Sequence, residues 1–218
     1  MCLTDLGRLD KASKTIKLVD EKRLEVVDRI DYESEYARID RAQGMTDEAL
    51  ERVERALKLS ETVEDKDRVE HAVRSLQALR GVLLAESGKC DEAVPMLEDI
   101  PAQDPWWTEA RIRLGDCKIK KRLYREAIEA YRSIASGDRE VDPSHRKTAQ
   151  RNIGCAYYYM GEYTKALEYL KSVERSYDDS PALKAELYNL LASTYSRLGM
   201  TQEADRYTGF SSGSDRIQ

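Results

Sequence analysis

Apolar residues recur along this chain in short stripes of helical period. Ala49, Val53 and Ala56 step by four and three residues. So do Ala93, Leu97 and Ile100, then Ala127, Tyr131 and Ile134, and again Ala166, Leu170 and Val173. Such steps place the side chains on one face of an α-helix. No comparable run alternates apolar and polar residues over five or more positions, so the pattern predicts an all-α chain. The punctuation is regular too. A glycine is followed five residues later by an alanine in Gly7/Ala12, Gly44/Ala49, Gly88/Ala93, Gly161/Ala166 and Gly199/Ala204. A sixth repeat keeps Ala127 but carries Arg122 in the glycine position. Successive repeats stand about 37, 44, 34, 39 and 38 residues apart, a spacing of helical repeats.

Each repeat reads as two helices. Asp104-Pro105, Asp142-Pro143 and Ser180-Pro181 place an oxygen-bearing N-cap before proline, which suits the first helical position because its missing N–H would be unpaired anyway. These pairs open first helices. The repeat glycine closes them by admitting a left-handed backbone. The alanine that follows lies in the second helix, where a small side chain permits close approach. First helices carry their own small position seven residues before the glycine: Ala37, Gly81, Gly115, Gly154 and Ala192.

Four irregularities interrupt the rhythm. Arg122 predicts either a turn without a left-handed residue or strain at one. Pro95 falls inside a second helix and predicts a kink or a delayed start. The 44-residue interval holds about ten extra residues near LSETVEDKDRVEHA, which predicts longer helices with a break near Thr62–Asp65. Gly7 comes too early for a complete helix before it, so the first repeat is expected to be truncated or the chain to be a fragment of a longer protein. The repeat array is expected over residues 1–208, and the polar stretch 209–218 is expected to be a disordered tail.

Composition narrows the classes of function. Of 218 residues, 41% are hydrophobic and 35% charged, which suits stacked helices with a wide wet surface. The net charge of −5 gives no global attraction to nucleic acid or membranes, and no apolar run approaches membrane-spanning length. Cys2, Cys90, Cys117 and Cys155 stand far apart with no CxxC spacing. Cys90, Cys117 and Cys155 read as small helix residues, and the setting as reducing and cytoplasmic. The two histidines, His71 and His145, lie beside no cysteine and read as solvated surface residues. No Ser/His/Asp order, phosphate loop or HExxH is present. The expectation is a non-enzymatic chain without metal or cofactor.

The best repeats are NIGCAYYYMGEYTKALEYLKSV, with Gly154, Tyr157, Gly161, Tyr163, Ala166, Leu170 and Val173, and LYNLLASTYSRLGMTQEA, with Tyr188, Leu191, Ala192, Tyr195, Gly199 and Ala204. This register resembles the tetratricopeptide repeat, a helix–turn–helix of about 34 residues. The resemblance implies a right-handed superhelical solenoid of antiparallel helix pairs, with about five to six repeats. It also implies a concave groove, lined by first helices, for an extended peptide or partner helix. Counted from the small position, the groove residues are Glu109, Ile112, Asp116 and Ile119, then Thr148, Arg151, Cys155 and Tyr158, then Glu186, Asn189, Ser193 and Ser196. An earlier repeat offers Asp31, Ser34, Arg38 and Arg41. Asn152 stands where many peptide-binding members of the family hold the ligand backbone. Co-chaperone members grip a carboxylate with a fixed Lys/Asn/Asn/Lys/Arg set; Ile112, Asp116, Glu186 and Leu190 stand where four of its residues would be needed, so this groove is not that clamp.

Two local features stand beside the groove. Residues 111–125 hold seven basic residues, Arg111, Arg113, Lys118, Lys120, Lys121, Arg122 and Arg125, against Asp116 alone. This is either a patch for acidic groups or a solvated face balanced by Glu109, Glu126 and Glu129. Tyr157, Tyr158 and Tyr159 point three ways from one helix, Tyr157 inward and Tyr158 toward the groove. Trp106-Trp107 is expected to pin one repeat to the previous one. The reading is a protein-interaction scaffold whose partner is another protein or a peptide. The alternative is a ligand-sensing or nucleic-acid-associated regulatory domain of a larger protein. Self-association through uncapped ends is a third possibility.

Overall fold

In the computed structural model, residues 11–16, 18, 24–136, 140–174 and 181–212 are described. Gly7, Cys2, the Ser180 cap and residues 213–218 lie outside them, as do the expectations attached to those positions. Among the described residues every regular element is helical: α1 (residues 11–16), α2 (Val26–Ala42), α3 (Thr46–Glu61), a 3-10 turn (Lys66–Arg68), α4 (Glu70–Glu86), α5 (Cys90–Glu98), α6 (Trp107–Lys120), α7 (Tyr124–Ala135), α8 (Pro143–Tyr159), α9 (Tyr163–Glu174), α10 (Pro181–Arg197) and α11 (Thr201–Ser212). The chain forms two units, residues 1–113 and 114–218.

In the N-terminal unit, α2 packs on α3, α3 on α4 and α4 on α5. The predicted stripes supply the core: Ala49, Val53, Ala56, Ala93 and Leu97 are fully buried, with Ile30, Ala37, Leu76, Val82 and Leu83 from the first helices. Two carboxylates are buried here as well. Glu33 meets Arg52 at 3.0 Å and Arg55 at 2.9 Å, and Asp40 meets Arg52 at 2.5 Å. Arg52 also lies over the Tyr36 ring, 3.4 Å from its centroid. A buried carboxylate is tolerated only with such partners. In the C-terminal unit, α7 packs on α8, α8 on α9, α9 on α10 and α10 on α11. Ala127, Ala149, Ile153, Ala166, Leu170, Val173, Leu187 and Leu191 close that core.

Among the described residues, five turns within repeats share one geometry. In the turn after α6, the N–H of Leu123 donates to Lys118 O and that of Arg122 to Ile119 O; the turns at residues 44, 88, 161 and 199 repeat this pair. It is a Schellman closure, which demands a left-handed residue. Glycine supplies it at Gly44, Gly88, Gly161 and Gly199, with φ between 74° and 83°. Arg122 adopts φ 61°, the strained outcome of the two predicted for it, at a cost of about 1 kcal/mol or more.

Other irregularities resolve in specific ways. The inserted residues lengthen α3 to sixteen residues, break at 62–65 as predicted and add the 3-10 turn. Pro95 does not delay α5, which starts at Cys90 directly after its turn; instead the helix is only nine residues long and stops at Glu98. Ile100, preceding Pro101, is biased away from helical backbone, so the helix cannot extend far. Asp142 caps α8, its side chain accepting from the Ser144 N–H at 2.7 Å. Asp104 accepts from the Trp106 N–H at 2.8 Å, yet α6 begins at Trp107, two residues later than the proline suggested. Helix α11 runs through Ser212, four residues past the expected end of the array. Cys90 and Cys117 are disulfide-bonded and Cys155 is a free thiol. This corrects the expectation of reduced helix cysteines and removes its support for a reducing compartment; spacing along the chain does not show which thiols are oxidised.

Candidate functional site

In the C-terminal unit, the first helices α6, α8 and α10 are joined by one chain of polar contacts. Asp116 follows Gly115 on α6. A Cβ at Gly115 would lie 2.4 Å from the Tyr131 ring. The missing methyl therefore lets the buried Tyr131 reach across and donate its hydroxyl to Asp116 Oδ1 at 2.7 Å. Burial pushes the Tyr131 pKa up, and the Asp116 charge and hydrogen bond push it further, so the phenol stays a donor. The same Asp116 oxygen accepts from Asn152 Nδ2 at 3.2 Å. Asn152 Oδ1 in turn accepts from Arg151 Nε and Nη2 at 3.2 and 3.1 Å. Arg151 Nη1 reaches Glu186 Oε2 on α10 at 3.1 Å.

Of the groove positions counted from the sequence, Asp116, Arg151 and Glu186 are thus brought together, with Asn152, the position named by the family resemblance, between them. Cys155, one turn beyond Arg151, is half-buried; burial raises its thiol pKa against the lowering influence of Arg151 and of a hydrogen bond with Tyr159. Tyr158 packs edge-on against Tyr159 and Tyr163, with centroids 5.8 and 5.5 Å away. Ile119 is half-buried and Asn189 exposed. Thr148 donates its hydroxyl to Ser144 O within its own helix at 2.9 Å. Ile112 is buried, 7% exposed, so it belongs to the packing and offers a ligand no side chain. A branched aliphatic residue beside the buried Ala110 and Leu114 is drawn inward by the hydrophobic effect.

The N-terminal unit builds a different cluster from α2, α4 and α6. Arg41 donates to both oxygens of Glu86, at 2.8 and 3.0 Å, and also pairs with Glu109. Arg113 meets Glu86 at 2.8 Å and Glu109 at 3.2 Å. Burial alone would raise the Glu109 pKa, but the Arg41 hydrogen bond and charge, with Arg113, hold it below the usual carboxylate range. Trp106 donates its indole N–H to Ser75 Oγ on α4 at 3.0 Å, beneath the Arg38 and Arg41 guanidiniums. It pins α4 as the sequence suggested. A cleft of about 660 Å³, lined among others by Glu54, Lys58, Arg74, Arg80 and Met96, opens where α5 stops short. Sequence reasoning did not identify this cleft, although Pro95 with Pro101 was its signal.

The basic run 111–125 is partly consumed internally. Arg113 is paired as above, Lys118 meets Glu126 at 2.8 Å, and Arg111 lies over the Trp107 ring, 5.7 Å from its centroid. Among the described residues, no group of three or more His, Cys, Asp or Glu could hold a metal ion, and no helix is long and apolar enough to cross a membrane.

A tetratricopeptide-repeat family profile matches residues 108–179, and a second one matches residues 185–207. The chain is a tetratricopeptide-repeat protein. Solved structures extend the likeness to both units. Kinesin-light-chain-like TPR repeats from Podosopora anserina are 20% identical, with a TM-score of 0.63, covering 88% of this chain and 100% of that one. BtubC (BKLC) from P. vanneervenii is 16% identical, with a TM-score of 0.64 and 96% and 92% coverage. MamA MSR-1 is 16% identical, with a TM-score of 0.60 and 86% and 97% coverage. At these identities the likeness concerns the fold. No curated protein matches the chain. Within the tetratricopeptide frame, Gly115 and Gly154 are packing positions, and the polar chain from Asp116 to Glu186 joins the first helices of the C-terminal unit.

Proposed function

We propose that this tetratricopeptide-repeat protein is a non-enzymatic scaffold that binds an extended peptide along α6, α8 and α10 of its C-terminal unit. The supporting observation is the continuous polar chain Asp116–Asn152–Arg151–Glu186. It holds the Asn152 carboxamide in a fixed orientation. A carboxamide has two N–H donors; Asp116 accepts from the group and the Tyr131 hydroxyl also bonds it, so a peptide carbonyl would meet a donor group that is already oriented. Preorganisation of this kind lowers the ordering cost of binding. Tyr158 and Cys155 flank the chain and supply contact area. Tyrosine is favoured in such positions because it offers a large surface with few rotors.

Selection from a library of random extended peptides tests this reading. Peptides selected on the wild type are expected to lose about tenfold in affinity, about 1.4 kcal/mol, on the Arg151→Ala/Asn152→Ala variant with its melting temperature kept. Peptides that bind both proteins equally would place the interaction elsewhere.

A further inference from the structure

We infer that the turn between α6 and α7 is a second docking site, distinct from the polar chain, for an acidic peptide segment carrying an apolar anchor. Among the described residues, four of the five turns within repeats close on glycine, and this one closes on Arg122 at φ 61°. Strain retained at a position where glycine would relieve it points to a use for the side chain. The Arg122 side chain is exposed. It lines a hollow of about 340 Å³ together with Leu123, Tyr124, Arg125, Glu126 and Met160.

The hollow has an apolar floor and a cationic rim. Leu123 is 39% exposed, an unusual exposure for a large apolar residue in this chain. Tyr124 is stacked on Tyr159, with centroids 5.9 Å apart and planes 16° from parallel, and Tyr159 is itself 54% exposed. The Glu126 carboxylate is held by Lys118 at 2.8 Å. Arg122 and Arg125 are both exposed, and among the described residues neither has an ion-pair partner. The hollow also lies at the N-terminal, electropositive end of α7. Two guanidiniums above an apolar floor complement a carboxylate pair flanking a Leu or Phe side chain. A nucleic-acid backbone is a poorer match, because its affinity is built from many phosphate contacts and this rim offers two cations beside Glu126.

The test is fluorescence anisotropy on the full chain with a labelled peptide of sequence DELFED, beside DEGGED, KKLFKK and dodecauridylate. DELFED is expected to bind saturably and more tightly than the other three. Its Kd should rise about fivefold in Arg122→Gly, about fivefold in Arg125→Ala and more than tenfold in both together. Arg122→Gly should meanwhile raise the melting temperature, so that lost binding cannot reflect lost folding. Absence of saturable DELFED binding by about 1 mM overturns the proposal, as does an unchanged Kd in Arg122→Gly. Dodecauridylate binding in place of DELFED assigns the rim to nucleic acid and overturns it too. Loss of DELFED binding in Arg151→Ala/Asn152→Ala, with Arg122→Gly unaffected, places the peptide on the polar chain; the groove reading then stands and this one falls.

Discussion

The first helices of the two units solve the same problem in opposite ways. In the N-terminal unit, Arg41, Glu86, Glu109 and Arg113 close into a cluster of two positive and two negative charges, all at most 30% exposed. In the C-terminal unit, the contacts run in an open line from Tyr131 to Glu186, ending at a carboxylate that is 66% exposed. A closed cluster satisfies its own members and leaves little for a ligand. An open line keeps donors at its middle and a solvated charge at its end. The same packing frame therefore carries a structural device in one unit and a candidate binding device in the other.

The largest effect should come from Gly115→Ala. Its Cβ would stand 2.4 Å from Tyr131, so the ring must move and release Asp116. A loss of about 2–3 kcal/mol is expected from overpacking and the broken hydrogen bond, read as a lower urea midpoint by circular dichroism. A fall below about 0.5 kcal/mol would show that the anchor of the open line is dispensable.

Removing a carboxylate from each unit sharpens the contrast. Glu86→Ala leaves two guanidiniums short of a partner and should cost about 1–2 kcal/mol, discounted for partial exposure. Glu186→Ala should cost less than about 0.5 kcal/mol. Equal losses in chemical denaturation would erase the distinction. The closed cluster should also be acid-sensitive. The Glu109 pKa is depressed in the folded state, so its contribution is fully present above the unfolded carboxylate value of about 4.3 and is lost as pH falls through the folded one. Glu109→Gln should be less stable than wild type at neutral pH and should flatten the decline in stability below about pH 4.3. A stability curve parallel to wild type through that range would contradict the assignment.

One effect has the opposite sign. Arg122→Gly should stabilise by about 1 kcal/mol, because glycine adopts φ 61° without a Cβ penalty. A lower melting temperature would mean that the arginine makes contacts the turn depends on.

Much of the fold was legible because its signals are local. The apolar stripes, the turn glycines, the Asp142 cap and the break at 62–65 depend on residues a few positions apart, and the structure places them as read. The early stop of α5 was half legible: Pro95 marks an irregular helix, but where the helix ends depends on Pro95 and Pro101 together. The candidate site divides in the same way. Asp116, Arg151 and Glu186 were reached by counting from the small position, since helical periodicity assigns residues to faces, and Asn152 by the resemblance to peptide-binding members of the family. Ile112 was assigned to the same face by that count, yet it is buried, because a count gives direction and not what packs against it.

By itself, then, the amino-acid order determined the helices, their turns and which residues share a face, since these follow from backbone stereochemistry and a 3.6-residue period. Tertiary structure alone decided which side chains meet across helices. Tyr131 reaches Asp116 only because Gly115 leaves room above it, Arg41 bridges two glutamates on two other helices, and Arg122 and Arg125 line a hollow with no ion-pair partner among the described residues. Those outcomes depend on distances between helices, set by the whole of the packing and recorded at no single stretch of the chain.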